Sequence, residues 1–147
     1  MKGEKTLEEL VYKIKQTIKI LYKEDKILFN NEISERCLVY NFAKHFAKIL
    51  DDEKYEELNL DLEYNRNCGK MKTIENQLTS YPDLILHKRG SNNDNRLVIE
   101  FKKWNNRSKF NKDRHKLQCF KNEYGYKLCM LIVFDKEDSE KVKYEII

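Results

Sequence analysis

Two segments in the first third of the chain repeat apolar residues at helical intervals. From Thr6 to Tyr22 these residues recur at steps of three and four, which predicts an amphipathic helix. A second stripe begins after Ser34, a residue typical of helix N-caps, and continues to Leu50. Glu35 extends this second stripe. We therefore expect its carboxylate to point toward the side of the helix that packs on the rest of the fold.

The middle of the chain follows the period of β-strands. Leu58 to Asn65 alternates between apolar and polar residues, and two strand-like runs follow, from Tyr81 to Lys88 and from Arg96 to Lys103. The connection between these two runs is rich in Gly and Asn, which favours a hairpin. We interpret Asn67 to Gly69 as a turn and the polar stretch from Lys70 to Ser80 as a loop or a short irregular element.

The last third returns to a helix followed by strands. A third helix is predicted from Lys112 to about Glu123, with a stop near Gly125. Tyr126 to Phe134 then fits a buried strand, and Val142 to Ile147 a short edge strand. With no repeat and no linker, residues 1–147 are expected to form one domain of mixed α/β class, in which helices flank a central mixed sheet.

Composition narrows the class of protein. Of 147 residues, 40% are hydrophobic, which is enough for one core. No apolar run approaches the roughly 20 residues of a membrane span, and no apolar stretch follows the charged N-terminus. We therefore expect a soluble cytoplasmic protein with no membrane partner. The four cysteines include no CxxC pair, so reduced thiols are the simpler interpretation, and disulfides would require export.

Charge is distributed unevenly along the chain. The net charge is only +4, but residues 51–63 hold seven acids and one base, whereas residues 102–116 hold seven bases and one acid. The basic segment is where we expect contacts to nucleic-acid phosphates. A solvated lysine-rich face is the alternative interpretation. The candidate contact residues are Lys103, Trp104, Arg107, Lys109, Lys112, Arg114 and Lys116.

The predicted hairpin would bring two acids and an amine together. With its midpoint between Ser91 and Asn92, Asp83 lies opposite Glu100, and Lys102 projects from the same face. Two carboxylates on directly opposed strand residues are close enough to share a divalent ion such as Mg²⁺ or Mn²⁺. His87 shares the face too, but a packed strand histidine is favoured over one that flanks a phosphate.

This combination suits phosphodiester hydrolysis. The ion would lower the pKa of the attacking water, and Lys102 would orient that water and stabilise the phosphoryl oxygens. A second ion would need another carboxylate, for which Glu35 is the first candidate and Glu63 the second. The alternative is ordinary surface chemistry on an exposed hairpin. The apolar run before Glu100 argues against it, because a charge at the end of a buried strand is costly unless paired or metal-bound.

Pro82 and Asp83, followed by Glu100, Phe101 and Lys102, resemble the signature of the PD-(D/E)XK nuclease superfamily. The element order also resembles that family's restriction-endonuclease-like αβββαβ core, here residues 34–134 after an N-terminal helical extension of residues 1–30. The resemblance implies that Asp83 and Glu100 bind metal and that the Phe101 carbonyl joins them. It also implies that Lys102 is the catalytic lysine and that Glu35 completes the site.

Three interpretations follow. The first is a Mg²⁺-dependent endonuclease or nickase on DNA, with RNA as an alternative substrate. The second keeps the fold without catalysis, as a module that binds DNA or a protein partner. The third is an unrelated α/β protein with a chance motif. So short a chain has little room beyond the core, so an enzyme cutting both strands would need a homodimer or a partner protein.

Overall fold

The computed structural model describes residues 2–64, 73–74, 77–78, 81–106 and 110–147. Its three α-helices are α1 (Lys2–Glu24), α2 (Glu35–Ile49) and α3 (Phe110–Tyr124). Its strands are β1 (Asn59–Leu62), β2 (Thr73–Ile74), β3 (Gln77–Leu78), β4 (Leu84–His87), β5 (Leu97–Lys102), β6 (Leu128–Val133) and β7 (Lys143–Ile146).

Five of the strands form one mixed sheet in the order β1-β4-β5-β6-β7. All neighbours pair antiparallel except β5 and β6, which are parallel and joined by α3. The expected mixed α/β class with a mixed sheet is therefore confirmed. The two-residue strands β2 and β3 pair only with each other.

Every predicted helix and main strand is present, but their ends differ. α1 is longer than the predicted Thr6–Tyr22, and α3 begins at Phe110, two residues before the predicted start. β1 and β4 are shorter than their polar–apolar alternation suggested. The predicted turn from Asn67 to Gly69 lies outside the described residues, and in the predicted loop from Lys70 to Ser80 the described residues are β2 and β3.

Two helix ends follow directly from local chemistry. The Ser34 side chain accepts a hydrogen bond from the Cys37 N–H, so Ser34 is the N-cap of α2 as predicted. This cap places Glu35 at the first position of the helix. α3 ends before Gly125, whose φ of 70° is the left-handed conformation that commonly terminates helices.

The larger part of the core lies between the sheet and the two N-terminal helices. Phe42 on α2 contacts Phe101 of β5 at 5.0 Å between ring centroids, and Phe101 stacks on Phe134 at 5.4 Å. α1 adds apolar side chains to the same cluster, so it packs as part of this core. Those side chains are Leu10, Ile14, Ile18 and Leu21, all of them buried. Among the described helices, none has the length and apolar character that a membrane span requires.

The opposite face of the sheet is covered by α3 and is only partly apolar. Leu117 and Phe120 of α3 pack on Ile85 and Val98 of the sheet. Because side chains alternate along a strand, Glu100 and Lys102 lie on the same face as Val98, beneath the first turns of α3. The fold therefore places charged residues under the beginning of one helix.

The aromatic contact between α2 and β5 should carry a large part of the stability. We expect Phe42→Ala to lower the free energy of unfolding by about 3 to 5 kcal/mol, because it removes a fully buried ring and leaves a cavity. Tyr40→Ala, on the exposed side of the same helix, is the matched control and should change it by less than about 0.5 kcal/mol. Urea unfolding measures both values, and equal effects would contradict this assignment of the core.

Candidate active site

The register of the β4–β5 hairpin is the one predicted from the sequence. Leu84 pairs with Ile99 and Leu86 with Leu97, so continuing the ladder by one residue sets Asp83 opposite Glu100. β4 itself begins at Leu84, and Asp83 therefore lies just before the strand. This register brings the two carboxyl groups together at one end of the hairpin.

Asp83 and Glu100 are held as a pair by three contacts. Asp83 Oδ2 accepts a hydrogen bond of 2.8 Å from the Phe101 N–H. The two carboxyl groups also interact with each other, and this interaction raises the pKa of Glu100 while it opposes the burial-driven rise in the pKa of Asp83. Lys116 of α3 places its Nζ 2.7 Å from Glu100 Oε1. We call Asp83 and Glu100 the acid pair.

The pKa values of the acid pair show that burial disfavours the charged form of both carboxyl groups. Glu100 is only 5% exposed, and burial, followed by repulsion from Asp83, raises its pKa from 4.5 to about 8 although Lys116 opposes the shift. Burial also raises the pKa of Asp83, against the hydrogen bonds from Phe101 and Glu100. The pair therefore keeps one proton at pH values at which exposed carboxyl groups have none.

Lys102 lies next to the acid pair but contacts a different carboxylate. Its Nζ is 2.8 Å from Asp113 Oδ2, and both side chains are largely buried. Burial alone would lower the pKa of Lys102, but the ion pair with Asp113 together with the charges of Glu35 and Glu100 raises it. The amine expected beside Glu100 is thus paired with α3, and Asp113 had not been a candidate residue.

Glu35 reaches the same end of the sheet from the other face. Its Oε2 accepts hydrogen bonds from the Lys103 backbone N–H at 2.9 Å and from Asn106 Nδ2 at 3.1 Å. Its charge raises the pKa of Asp83 and that of Lys102, so it lies within electrostatic range of both. Glu35 and Asp83 also line one cleft between α2 and β1. The expectation that this carboxylate points toward the packed side of α2 is confirmed.

Glu63, the second candidate for a further carboxylate, lies beside Asp83 but pairs with a different residue. Strand alternation would put its side chain on the face of Asp83, but its φ of 50° is left-handed and interrupts the alternation. Its N–H still donates to the Asp83 carbonyl, whereas its carboxylate forms an exposed ion pair with Arg36 at 2.9 Å. The carboxylate of Glu63 is therefore paired with Arg36, although Glu63 lines the same cleft as Glu35 and Asp83.

The basic segment is less exposed than its sequence suggested. Lys103 and Lys116 are buried, at 8% and 9% exposure, because one lies at a strand end and the other on the inner face of α3. Arg114 pairs with Glu145, and Trp104 Nε1 donates to Asn31 Oδ1. Lys112 is exposed. Arg107 and Lys109, the remaining candidates, lie outside the described residues.

His87 is a buried strand histidine, which was the favoured interpretation. Its Nε2 lies 2.8 Å from Asp61 Oδ2, and Arg89 also pairs with Asp61. Tyr64 contacts the imidazole edge-on at 4.6 Å between centroids. His87 ends β4, whereas Asp83 precedes it, so the two lie at opposite ends of the strand.

The acid pair has the chemistry of a small site for a hard cation. Within the described parts of the chain, no group of three or more His, Cys, Asp or Glu side chains could hold a metal ion. Two carboxylates are nevertheless a common protein contribution to a Mg²⁺ site, where water and phosphate supply the other ligands. Glu100 Oε1 is buried and accepts no well-directed hydrogen bond, despite the nearby Lys116. The residues present therefore fit a divalent ion.

Comparison with known proteins adds nothing to this geometry: no protein-family model, curated protein or solved structure matches the chain significantly. Sequence reasoning missed Asp113 altogether, and it did not place Lys116 beside Glu100. The available signal was their spacing. They lie three residues apart on α3, four residues before Leu117 and Phe120 respectively, so both can face the sheet as those two residues do.

The shifted pKa of Glu100 predicts a pH-dependent stability. Folded Glu100 keeps its proton up to a pKa of about 8, whereas the unfolded chain loses it near 4.5. The stabilisation that this proton provides is therefore complete below pH 4.5 and is lost as the pH rises through about 8. In EDTA, the free energy of unfolding should decrease as the pH rises from 4.5 to about 8, with a slope of up to about 1.4 kcal/mol per pH unit.

Glu100→Gln should remove most of this slope, because its amide does not titrate. Glu57→Gln, at a side chain that is 87% exposed, is the matched control and should keep the wild-type slope. Denaturant unfolding at a series of pH values measures all three proteins. A Glu100→Gln variant with the full wild-type slope would show that another group is responsible.

Proposed function

We propose that this protein is a metal-dependent nuclease that hydrolyses phosphodiester bonds of DNA. The observation that carries the proposal is the acid pair, in which Glu100 is buried and Asp83 is partly buried. Lys116 pairs with Glu100, and Lys102, on the same face of β5, pairs with Asp113. A buried pair of carboxyl groups that must share a proton is costly to a fold and is typical of functional sites. A divalent cation would replace that proton.

Each residue would have a definite task in such a site. Asp83 and Glu100, with the Phe101 carbonyl proposed beside them, would hold Mg²⁺ or Mn²⁺, which supplies a lowered pKa for water and neutralises charge on the phosphate. Phe101 N–H orients Asp83. Glu35 adds negative charge at the edge of the site and is itself fixed by Lys103 and Asn106. A lysine ammonium would stabilise the phosphoryl oxygens.

The order of elements supports the proposal. From α2 onward the chain runs α2, β1, β4, β5, α3, β6, which is the αβββαβ order implied by the resemblance to PD-(D/E)XK nucleases, apart from the small β2–β3 hairpin. The motif residues stand on β5 and just before β4, as that resemblance requires. We therefore propose a restriction-endonuclease-like core.

A second candidate is a nucleic-acid-binding module of the same fold without catalysis. The observation that favours it is the buried ion pair between Lys102 and Asp113, which holds the expected catalytic amine away from Glu100. Such a module would bind DNA with the same affinity whether or not a divalent ion is present. It would leave supercoiled plasmid intact.

Plasmid nicking distinguishes the two candidates. With Mg²⁺ or Mn²⁺, wild-type protein should convert supercoiled plasmid to the open circle, and EDTA should stop it. Asp83→Asn and Glu100→Gln should each reduce the rate by about 100-fold or more, because each removes a negatively charged ligand. Glu57→Gln, purified in parallel, should nick at the wild-type rate. Equal nicking by all four proteins would reveal a contaminating nuclease and remove the enzymatic claim.

Binding to DNA should depend on exposed lysines of the basic segment. We expect Lys112→Ala to weaken binding of a labelled duplex and to reduce the slope of log affinity against log salt by up to about 1, the value for one lost phosphate contact. Lys48→Ala, exposed on α2 across the sheet, is the control. Fluorescence anisotropy in EDTA over a range of salt measures both, and identical slopes would place the DNA elsewhere.

A further inference from the structure

Two ion pairs connect α3 to β5 side by side. Lys102 of β5 meets Asp113 of α3 at 2.8 Å, and Glu100 of β5 meets Lys116 of α3 at 2.7 Å. Residues two apart on a strand share a face, as do residues three apart on a helix. Each of the two elements therefore carries an acid followed, along the chain, by a base. Each lysine has its carboxylate on the other element.

Lys102 has its carboxylate partner, Asp113, outside the acid pair. Both side chains are largely buried, at 11% and 14% exposure, and separating a buried ion pair leaves two uncompensated charges. To act on a phosphate bound at the acid pair, Lys102 would first have to leave this partner. The pairing makes Lys102 suited to positioning α3 over the sheet.

Lys116 is already in the place that a catalytic amine would need. Its Nζ contacts Glu100 and donates a 2.9 Å hydrogen bond to the Tyr81 carbonyl, two residues before Asp83. The amine is thus held by β5 and by the segment just before β4. Its side chain is 11% exposed, so the ammonium is shielded from bulk water and its electrostatic effect is correspondingly strong.

We propose that Lys116, and not Lys102, is the catalytic lysine, whose ammonium contacts the scissile phosphate. This inference rests on the proposed nuclease function. In hydrolysis the water oxygen forms a bond to phosphorus and the bond from phosphorus to one ester oxygen breaks. The proton lost by the water passes to solvent, and the departing oxygen takes one from solvent. Lys116 remains an ammonium throughout and stabilises the added negative charge on the phosphoryl oxygens.

The same geometry makes a second prediction that does not involve cleavage. Among the residues that the structure describes, Lys116 is the one whose ammonium forms an ion pair with Glu100, so it competes with any divalent ion that Glu100 binds. Removing this charge should tighten binding of Mn²⁺. Removing the charge of Lys102 should have a smaller effect, because Asp113 already neutralises it.

The experiment compares full-length wild type, Lys116→Met, Lys102→Met and Lys121→Met. Methionine preserves most of the side-chain length without the charge, and Lys121, exposed on the same helix, is the matched control. Single-turnover nicking and Mn²⁺ titration at pH 8.5 are measured for each. We expect Lys116→Met to nick about 100-fold more slowly, to lose more activity than Lys102→Met, and to bind Mn²⁺ about tenfold more tightly. Lys121→Met should match wild type.

Thermal unfolding shows whether each variant folds. If Lys116→Met does not, Lys116→Arg keeps the positive charge but displaces the nitrogen, and it should lose about tenfold or more in rate while folded. A larger loss in Lys102→Met, or unchanged Mn²⁺ affinity in Lys116→Met, overturns the inference.

The two levels of proposal fail separately. If wild type nicks plasmid and Asp83→Asn does not, but Lys116→Met nicks as fast as Lys121→Met, only the role of Lys116 is wrong. If wild type does not nick, or Asp83→Asn nicks equally well, the nuclease proposal fails and the inference falls with it.

Discussion

A glutamate buried at the end of an interior strand is the constraint on which this end of the molecule depends. Glu100 lies in β5, whose six residues are all buried, and a carboxylate there needs either a proton or a cation. The negative charge of Asp83 favours the proton, and the ammonium of Lys116 favours the charged carboxylate. The position of α3 and the pairing of the hairpin must therefore bring Lys116 and Asp83 next to Glu100.

One face of the sheet is apolar and stabilises the fold, and the other carries the charged residues of the proposed site. The face toward α1 and α2 is packed with aromatic and aliphatic side chains, including the stacked Phe101 and Phe134. The face toward α3 is apolar near Val98 and becomes charged at Glu100 and Lys102, the last residues of the same strand. Because strand residues alternate between faces, a rigid apolar core directly supports the charged groups on the other side. Such support is what a catalytic or binding site requires of its scaffold.

The arrangement also explains why α3 is so firmly tied to β5. Each of the two ion pairs neutralises a charge that would be costly to bury alone, and each depends on the helix being in place. Loss of α3 would expose both charges on β5. The geometry of the proposed site and the attachment of the helix therefore have the same physical origin, and a substrate that drew Lys116 away from Glu100 would change both.

The amino-acid sequence determined by itself the features that depend on neighbouring residues. The N-cap at Ser34, the helix end at Gly125 and the register that opposes Asp83 to Glu100 all follow from local turn chemistry and side-chain period, and the structure has each of them. Only the tertiary structure decided the partners of Lys102 and Lys116. Those depend on how α3 is rotated and where it lies on the sheet, which no local period specifies. The same applies to Glu63, whose ion pair with Arg36 of α2 joins residues that are distant along the chain. Short-range sterics act through a few bonds and can be read along the chain, whereas an ion pair between distant elements exists only after the whole core has packed.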